Sequence, residues 1–576
     1  MPQLDIYQRT SLSADATNTG LEALQKLSRL GIEGNTSTYR NLAQSIKTST
    51  VDAALRLSLD PKTIRRLIKN GPEVMKGCVR LIRAAIVRDS NVAPAVSHEC
   101  GYACFMLLVS TLNTCLLDRC NQLNQALKFY NTVTHTSLQV LLSASLSRAI
   151  ETQVKISNVG GDCDSILGWP SSTGRSRLAP LLTRDDAMVL LNLLWDFRKE
   201  LLKAMLSTSP PGLAGLMFLF LRSLRTQPSL RSQEWELIKC KLHELALRYM
   251  LLGEEHWDQH LFMDEILNQI DSSDRVWGMQ SKYADVEDSR SILRAFIDVL
   301  SNHTRRTFPM NTPYILLRLI VMSVHFDSQD LLPEVMEGSI EYAWAMLIRV
   351  NGRVDMGPFV QGFFGSLKML IIPIHNEPYQ LTDTTQDQVI NALHNTDVLD
   401  LVARVIAGLK PGPRISSPVS DRNDASLQHM FRFLAMVCEI VPEEQSADCF
   451  QDCVLDWLKF DNYMHINAFG LMPAQPGIEA HRDHYKNCRD IWFWIGQNLG
   501  LEPMIDTHRT PRLCNNSRCP TLFTFNHIHQ GSQRGCENCD EQWVYCNDRC
   551  QAIDWQINWE HRELCSDPSK HAFLIE

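Results

Sequence analysis

The chain is 576 residues long, 44% apolar and 21% charged, with a net charge of −9. That length exceeds what one hydrophobic core organises, so two or more structural units are expected. The mildly acidic balance excludes whole-chain attraction to nucleic acid or anionic lipid.

Residues 1–10 hold Asp5 and Arg9 and no apolar run, so no secretory signal is read there. The most membrane-like stretch, Gly212 to Leu221, is about half a spanning length and is closed by Arg222, so no transmembrane segment is read. The expectation is an intracellular protein of the cytoplasm or nucleus. In those reducing compartments its eighteen cysteines favour metal over disulfides.

Residues 1–505 read as a succession of amphipathic helices. Asp60 caps a helix that Pro61 opens, with Ile64, Leu67 and Ile68 on its apolar face, and Asn70-Gly71-Pro72 ends it. Val74, Cys78, Leu81, Ile82 and Ala85 share the next face. Further along, Ile292, Leu293, Phe296, Ile297 and Leu300 repeat the spacing, and Tyr314 to Val324 is apolar nearly all round, as a helix buried among others would be. Alternating strand patterns and Gly-rich strand-to-helix turns are scarce, so a mostly α, all-helical body is expected. It could be a bundle or an armadillo/HEAT-like solenoid. Ser157 to Pro180 reads as an exposed loop and a candidate subdivision, and Gly408 to Ala425 as a linker-like loop. A third break, Asp506 to Arg512, separates the body (1–505) from the C-terminal region (506–576).

That region holds seven cysteines in paired spacing. The pairs are Cys514-x4-Cys519, Cys536-x2-Cys539, Cys546-x3-Cys550 and His561-x3-Cys565. Donors a few residues apart reach one ion without straining the backbone, and donors four apart on a helix share a face. Eight donors suit two tetrahedral Zn2+ ions. A zinc with four protein ligands has no open position for water or substrate, so both ions are read as structural and no catalytic residue is assigned.

The segment Tyr545-Cys546-Asn547-Asp548-Arg549-Cys550-Gln551-Ala552-Ile553-Asp554-Trp555, followed by His561-Arg562-Glu563-Leu564-Cys565, resembles the MYND zinc finger. Tyr545, Gln551, Asp554 and Trp555 agree with that family as well as the ligands do. The resemblance covers about a tenth of the chain and implies cross-braced binding. Cys514, Cys519, Cys546 and Cys550 would hold one ion, and Cys536, Cys539, His561 and Cys565 the other. The first pair has a wider spacer than the family's two residues, the Cys519–Cys536 interval is long, and His561 lies eleven residues after Cys550 where eight is the family's habit. A helix from Gln551 to Leu564 would absorb that last shift, and His527 or His529 stands as an alternative to Cys519. The resemblance further implies docking of short Pro-rich peptides on Gln551 and Trp555.

Electrostatics point the same way. Residues 506–576 carry a formal −3, about −6 once seven thiolates and two Zn2+ are included, which opposes phosphate binding. A protein or peptide partner is expected, without nucleic acid or membrane, in a non-enzymatic adaptor. A DNA-binding regulator conflicts with this charge. The enzymatic alternative, the SET-and-MYND lysine methyltransferases, would require a β-rich SET domain with a Gly-x-Gly cofactor turn and an Asn-His-x-Cys segment, and neither is found. Elsewhere His256/His260, His481/His484/Cys488, Cys449/Cys453 and Cys100/Cys104 have helical spacing and are read as polar helix faces or core residues. On this reading, Cys539→Ala or Cys565→Ala unfolds the C-terminal region and leaves the helical body intact.

Overall fold

The i, i+3, i+4 apolar spacing is realised as helix through both halves of the chain. A computed structural model describes residues 11–32, 36–88, 99–133, 136–158, 162–170, 178–208, 210, 212–225, 233–252, 257–270, 284–301, 312–350, 356–372, 380–469, 477–501, 516, 518, 534–535, 544–545 and 548–557. They form two compact units, Met1–Ser281 and Lys282–Glu576.

The first unit contains α1 (Ala14–Ile32), α2 (Thr36–Ser45), α3 (Thr48–Arg56), α4 (Arg66–Lys69), α5 (Gly71–Arg88), α6 (Glu99–Arg119), α7 (Leu123–Tyr130), α8 (Leu138–Asn158), α9 (Arg184–Asp196), α10 (Arg198–Leu206), α11 (Ala214–Arg225), α12 (Gln233–Met250) and α13 (Trp257–Gln269). Its centre is α6, which packs against α3, α4, α5, α7, α8 and α11. This helix, rather than Gly212 to Leu221, is long and apolar enough to cross a membrane. Tyr102, Phe105, Leu108, Leu112 and Leu116 are all buried, so its apolarity is that of a core helix with neighbours on every side.

In the second unit lie α14 (Val286–Ser301), α15 (Thr312–Ser323), α16 (Leu332–Val350), α17 (Gly357–Ile371), α18 (Asp383–Asn395), α19 (Val398–Gly408), α20 (Pro418–Ile440), α21 (Glu443–Cys449), α22 (Val454–Phe469), α23 (Ile478–Asn498) and α24 (Asp548–Ile557). Ile292, Leu293, Phe296 and Leu300 of α14 are buried, as their spacing requires. Two-residue strands β1 (Arg534–Gly535) and β2 (Val544–Tyr545) pair antiparallel, with Arg534 opposite Tyr545. They are the one departure from helix among the described residues' regular elements.

Three local expectations are corrected. Asp60 does cap, accepting from Lys62 N at 2.8 Å, but residues 61–65 form turns and only α4 is helical, while Gly71-Pro72 opens α5 instead of merely ending its predecessor. The same Asp60 carboxylate also accepts from Leu12 N at 2.9 Å, a tertiary bond that local propensity does not encode.

The second correction concerns 408–425, of which only 409–417 is non-helical. Ser417 Oγ accepts from Ser420 N at 3.2 Å and Pro418 stands in the first turn, so the proline starts α20.

Third, the described parts of 157–180 are tied down rather than exposed. Asp164–Leu167 form a 3-10 turn, Gly168 takes φ +78°, and Trp169 is buried with its Nε1 donating to the Leu182 carbonyl at 2.7 Å. The Asp164 carboxylate receives Arg222 at 2.7 Å. This segment lies within the first unit, and the division of the chain falls after Ser281.

Close approach of backbones in the first unit depends on two glycines. A Cβ at Gly31 would lie 2.0 Å from the Glu73 carbonyl oxygen, and one at Gly77 would lie 2.2 Å from that of Leu27. No side chain fits there without moving α1 away from α5. Overpacking of this kind costs about 1–3 kcal/mol, so Gly77→Ala is expected to lower the urea midpoint of the first unit. An unchanged midpoint would contradict this close crossing.

Candidate functional site: a finger helix seated in an acidic recess

The helix α24 carries the MYND-like residues and presents three different faces. Cys550 and Asp554 are buried, and β2 packs on this helix. Tyr545 of β2, itself fully buried, donates its hydroxyl to Asp554 Oδ2 at 2.6 Å. A buried phenol needs a partner, and a carboxylate is a strong one. Two motif residues that are not ligands therefore fasten the strand pair to the helix, a role that sequence reading had left without a physical explanation.

Arg549 points away from that interior, into a recess of the second unit. Its Nη1 donates to Asp400 Oδ2 at 2.9 Å and to Asp456 Oδ2 at 3.0 Å, and its Nη2 donates to Asp397 Oδ1 at 2.9 Å. Asp452 Oδ2 lies 3.6 Å from Nε. Nearby, Arg518 donates to Asp397 Oδ2 at 3.3 Å and to Glu341 Oε2 at 2.5 Å, and its guanidinium lies 5.2 Å from the Trp344 ring centroid. The indole of Trp344 is fixed in turn, donating to the Thr396 carbonyl at 2.8 Å.

Helix geometry gathers these carboxylates. Asp397 precedes α19 and Asp400 sits in its first turn, three residues apart and so on one face. Asp456 sits in the first turn of α22, and Asp452 in the 3-10 turn Gln451–Cys453 that leads into it. Helix N-termini favour negative charge, so both helices direct acids to the recess at little electrostatic cost. Asp397 also adopts φ +54°, a left-handed conformation tolerated by Asp and Asn in tight turns, which lets one carboxylate serve both arginines.

Burial raises the Asp397 carboxyl above its ordinary range, opposed by the charges of Arg549 and Arg518. Burial likewise works against the Arg549 cation, but Asp400, Asp456 and Asp397 outweigh it and hold the guanidinium well above its usual value. Lys459 completes the recess with a 2.6 Å bond to Asp456. Truncating one partner of such a buried set typically costs about 3–5 kcal/mol, because the opposite charge is left without compensation.

The peptide-docking candidates occupy the far side of α24. Gln551 and Trp555 are half-buried, about 200° and 240° around the helix from Arg549. Of the expected zinc ligands, Cys550 is described and buried, while Cys514, Cys519, Cys536, Cys539, Cys546, His561 and Cys565 lie outside the described residues, as do His527 and His529. The paired strands fall on either side of the stretch that contains Cys536 and Cys539. The proposed helix Gln551 to Leu564 is seen from Asp548 to Ile557. A donor set of thiolates with one imidazole fits Zn2+, and the buried position of Cys550 beside a buried motif residue, Tyr545, fits a ligand facing a small interior.

The remaining histidine and cysteine clusters have structural roles. The His484 Nε2 position bonds to the Leu409 carbonyl at 3.1 Å, which occupies the nitrogen that also lies 3.6 Å from Cys488 Sγ. His256 lies outside the described residues. Cys104 is a core residue, and Cys100 and Cys449 are half-buried. Cys453 is buried, and burial pushes its thiol well above the ordinary range, which makes it a poor nucleophile. Together with His394 and Asp452 it forms the one three-residue group of metal-ligand type among the described residues, and Arg549 already occupies the Asp452 side of that group. No family model, curated protein or solved structure matches the chain.

His394 supplies a pH signature. Its Nε2 lies 2.9 Å from Asp452 Oδ1, and this hydrogen bond raises its pKa above the ordinary 6.5, against burial and the nearby Arg549 charge. A raised folded-state pKa stabilises fully below the unfolded value, and the contribution is lost as pH rises through the folded value. The stability difference between wild type and His394→Gln is therefore expected to be largest near pH 6 and to shrink as pH rises, in urea melts of the second unit. A difference independent of pH would contradict the assignment.

Proposed function

We propose that residues 506–576 form a structural two-zinc finger of MYND type. On this reading the protein is a non-enzymatic intracellular adaptor whose finger docks peptide segments, Pro-rich ones among them. The observation that carries the reading is the buried Tyr545–Asp554 bond beside Cys550, since it gives two non-ligand residues of the motif a fold-building role. Zinc supplies folding free energy, on the order of 10–16 kcal/mol per structural site in small fingers, and a domain of some sixty residues needs such a staple. The ligand sets are those the resemblance implies: Cys514, Cys519, Cys546 and Cys550, then Cys536, Cys539, His561 and Cys565.

The face used for docking is supported by the seating of α24. Arg549 turns toward the acidic recess, so Gln551 and Trp555 are left on the side away from it, half-exposed. A flat indole beside an amide suits a polyproline-II ligand, whose rings pack on aromatics and whose carbonyls accept hydrogen bonds.

Metal analysis of the purified full chain is expected to return two zinc ions, and labelled Pro-rich peptides are expected to bind it and to be lost on Trp555→Ala. One ion or none would contradict the eight-ligand set, and binding that survives Trp555→Ala would remove Gln551 and Trp555 from the peptide site.

A further inference from the structure

The charges in the acidic recess are unevenly shared between the finger region and the helices. Asp397, Asp400 and Asp456 are buried and belong to the turns and first turns that begin α19 and α22. Of the cations that face them, Lys459 belongs to α22 itself, whereas Arg518 and Arg549 belong to residues 506–576. The finger region thus provides both arginines that compensate these carboxylates. Arg549 also stands between Cys546 and Cys550 in sequence, next to the one ligand seen buried. A device that fixes the position of Cys550 fixes the guanidinium beside it.

We propose that metal loading of the finger is transmitted to the helices of the second unit through Arg549 and Arg518, so that the recess is a receptor whose occupant is this chain's own finger. The proposal rests on the two-zinc reading above. With the finger folded, α24 holds Arg549 among four carboxylates and Arg518 bridges Asp397 to Glu341. With the finger unfolded, both arginines leave as part of a loose segment, and three buried carboxylates are left with Lys459. A buried charge without its partner loosens whatever holds it. The segments expected to loosen are therefore 383–408, which contains α18, the Asp397 turn and α19, and 451–469, which contains the 3-10 turn and α22. This replaces the expectation from sequence alone that losing a zinc ligand leaves the helical region intact.

Hydrogen exchange on the full chain, read segment by segment, tests the proposal. Residues 99–119, in the first unit, serve as the internal reference. In wild type, chelation that removes both ions is expected to speed exchange at 383–408 and 451–469 by about tenfold or more, with the reference unchanged. Arg549→Met, which is expected to keep two zinc ions, should show the same rise before any chelation, and Arg549→Lys should not restore protection because an ammonium lacks the guanidinium's fork of donors.

Should Arg549→Met fail to accumulate, Asp397→Asn/Asp400→Asn provides the second arm. With the buried charges neutralised, its helices should stay protected and become insensitive to chelation. Unchanged protection in metal-stripped wild type would overturn the proposal, as would continued sensitivity of the double Asn variant. The two readings fail separately: protein purified without zinc removes the finger, whereas two ions with no effect of their removal on these segments leaves the finger standing and removes the coupling.

Discussion

A guanidinium removed from water is costly unless its charge and its fork of donors are both met, and at Arg549 they are met by Asp397, Asp400, Asp452 and Asp456. The reciprocal statement matters as much. Four acids brought together at two helix N-termini repel one another, and burial alone would push Asp397 toward its neutral form. Arg549 and Arg518 make the cluster tenable as charged groups. Much of how the described C-terminal residues sit on the second unit follows from this exchange, because few of them contribute an apolar surface: Ile553 is the single buried aliphatic side chain described on α24.

This arrangement divides α24 by function along its circumference. One side turns inward through Cys550 and Asp554, one docks through Arg549, and one stays half-open through Gln551 and Trp555. An adaptor surface gains from such seating, because a groove held on a rigid scaffold loses less freedom when a peptide binds. The acidic balance of the finger region does not conflict with its docking into an acidic recess. Its net charge is spread over the whole segment, whereas two arginines are placed where the carboxylates converge.

Legibility in the sequence followed the range of the interactions. Amphipathic helices such as α5 and α14 were plain, since their buried faces are set by spacing within a few residues. Asp60 showed itself as a cap, but the shortness of the helix it begins did not, because its carboxylate is shared with Leu12. Pro418 was read as a loop residue where it opens α20, an ambiguity that Ser417 as N-cap could have resolved. The Arg549–Asp400 and Arg518–Glu341 pairs were out of reach, because 149 and 177 positions separate the partners and nothing local marks them. One signal was available: an arginine inside Cys546-x3-Cys550, on a helix, cannot point to the same interior as its neighbour Cys550.

The central claim is that the buried pairing of Arg549 with the recess, rather than the mere presence of an arginine on α24, joins the finger to the helices. A double-mutant cycle on Arg549→Met and Asp400→Asn in the zinc-loaded full chain, read from urea melts of the second unit, measures that pairing directly. The account predicts that the double variant is more stable than the sum of the single losses by about 1–3 kcal/mol. Losses that add within about 0.5 kcal/mol would contradict it.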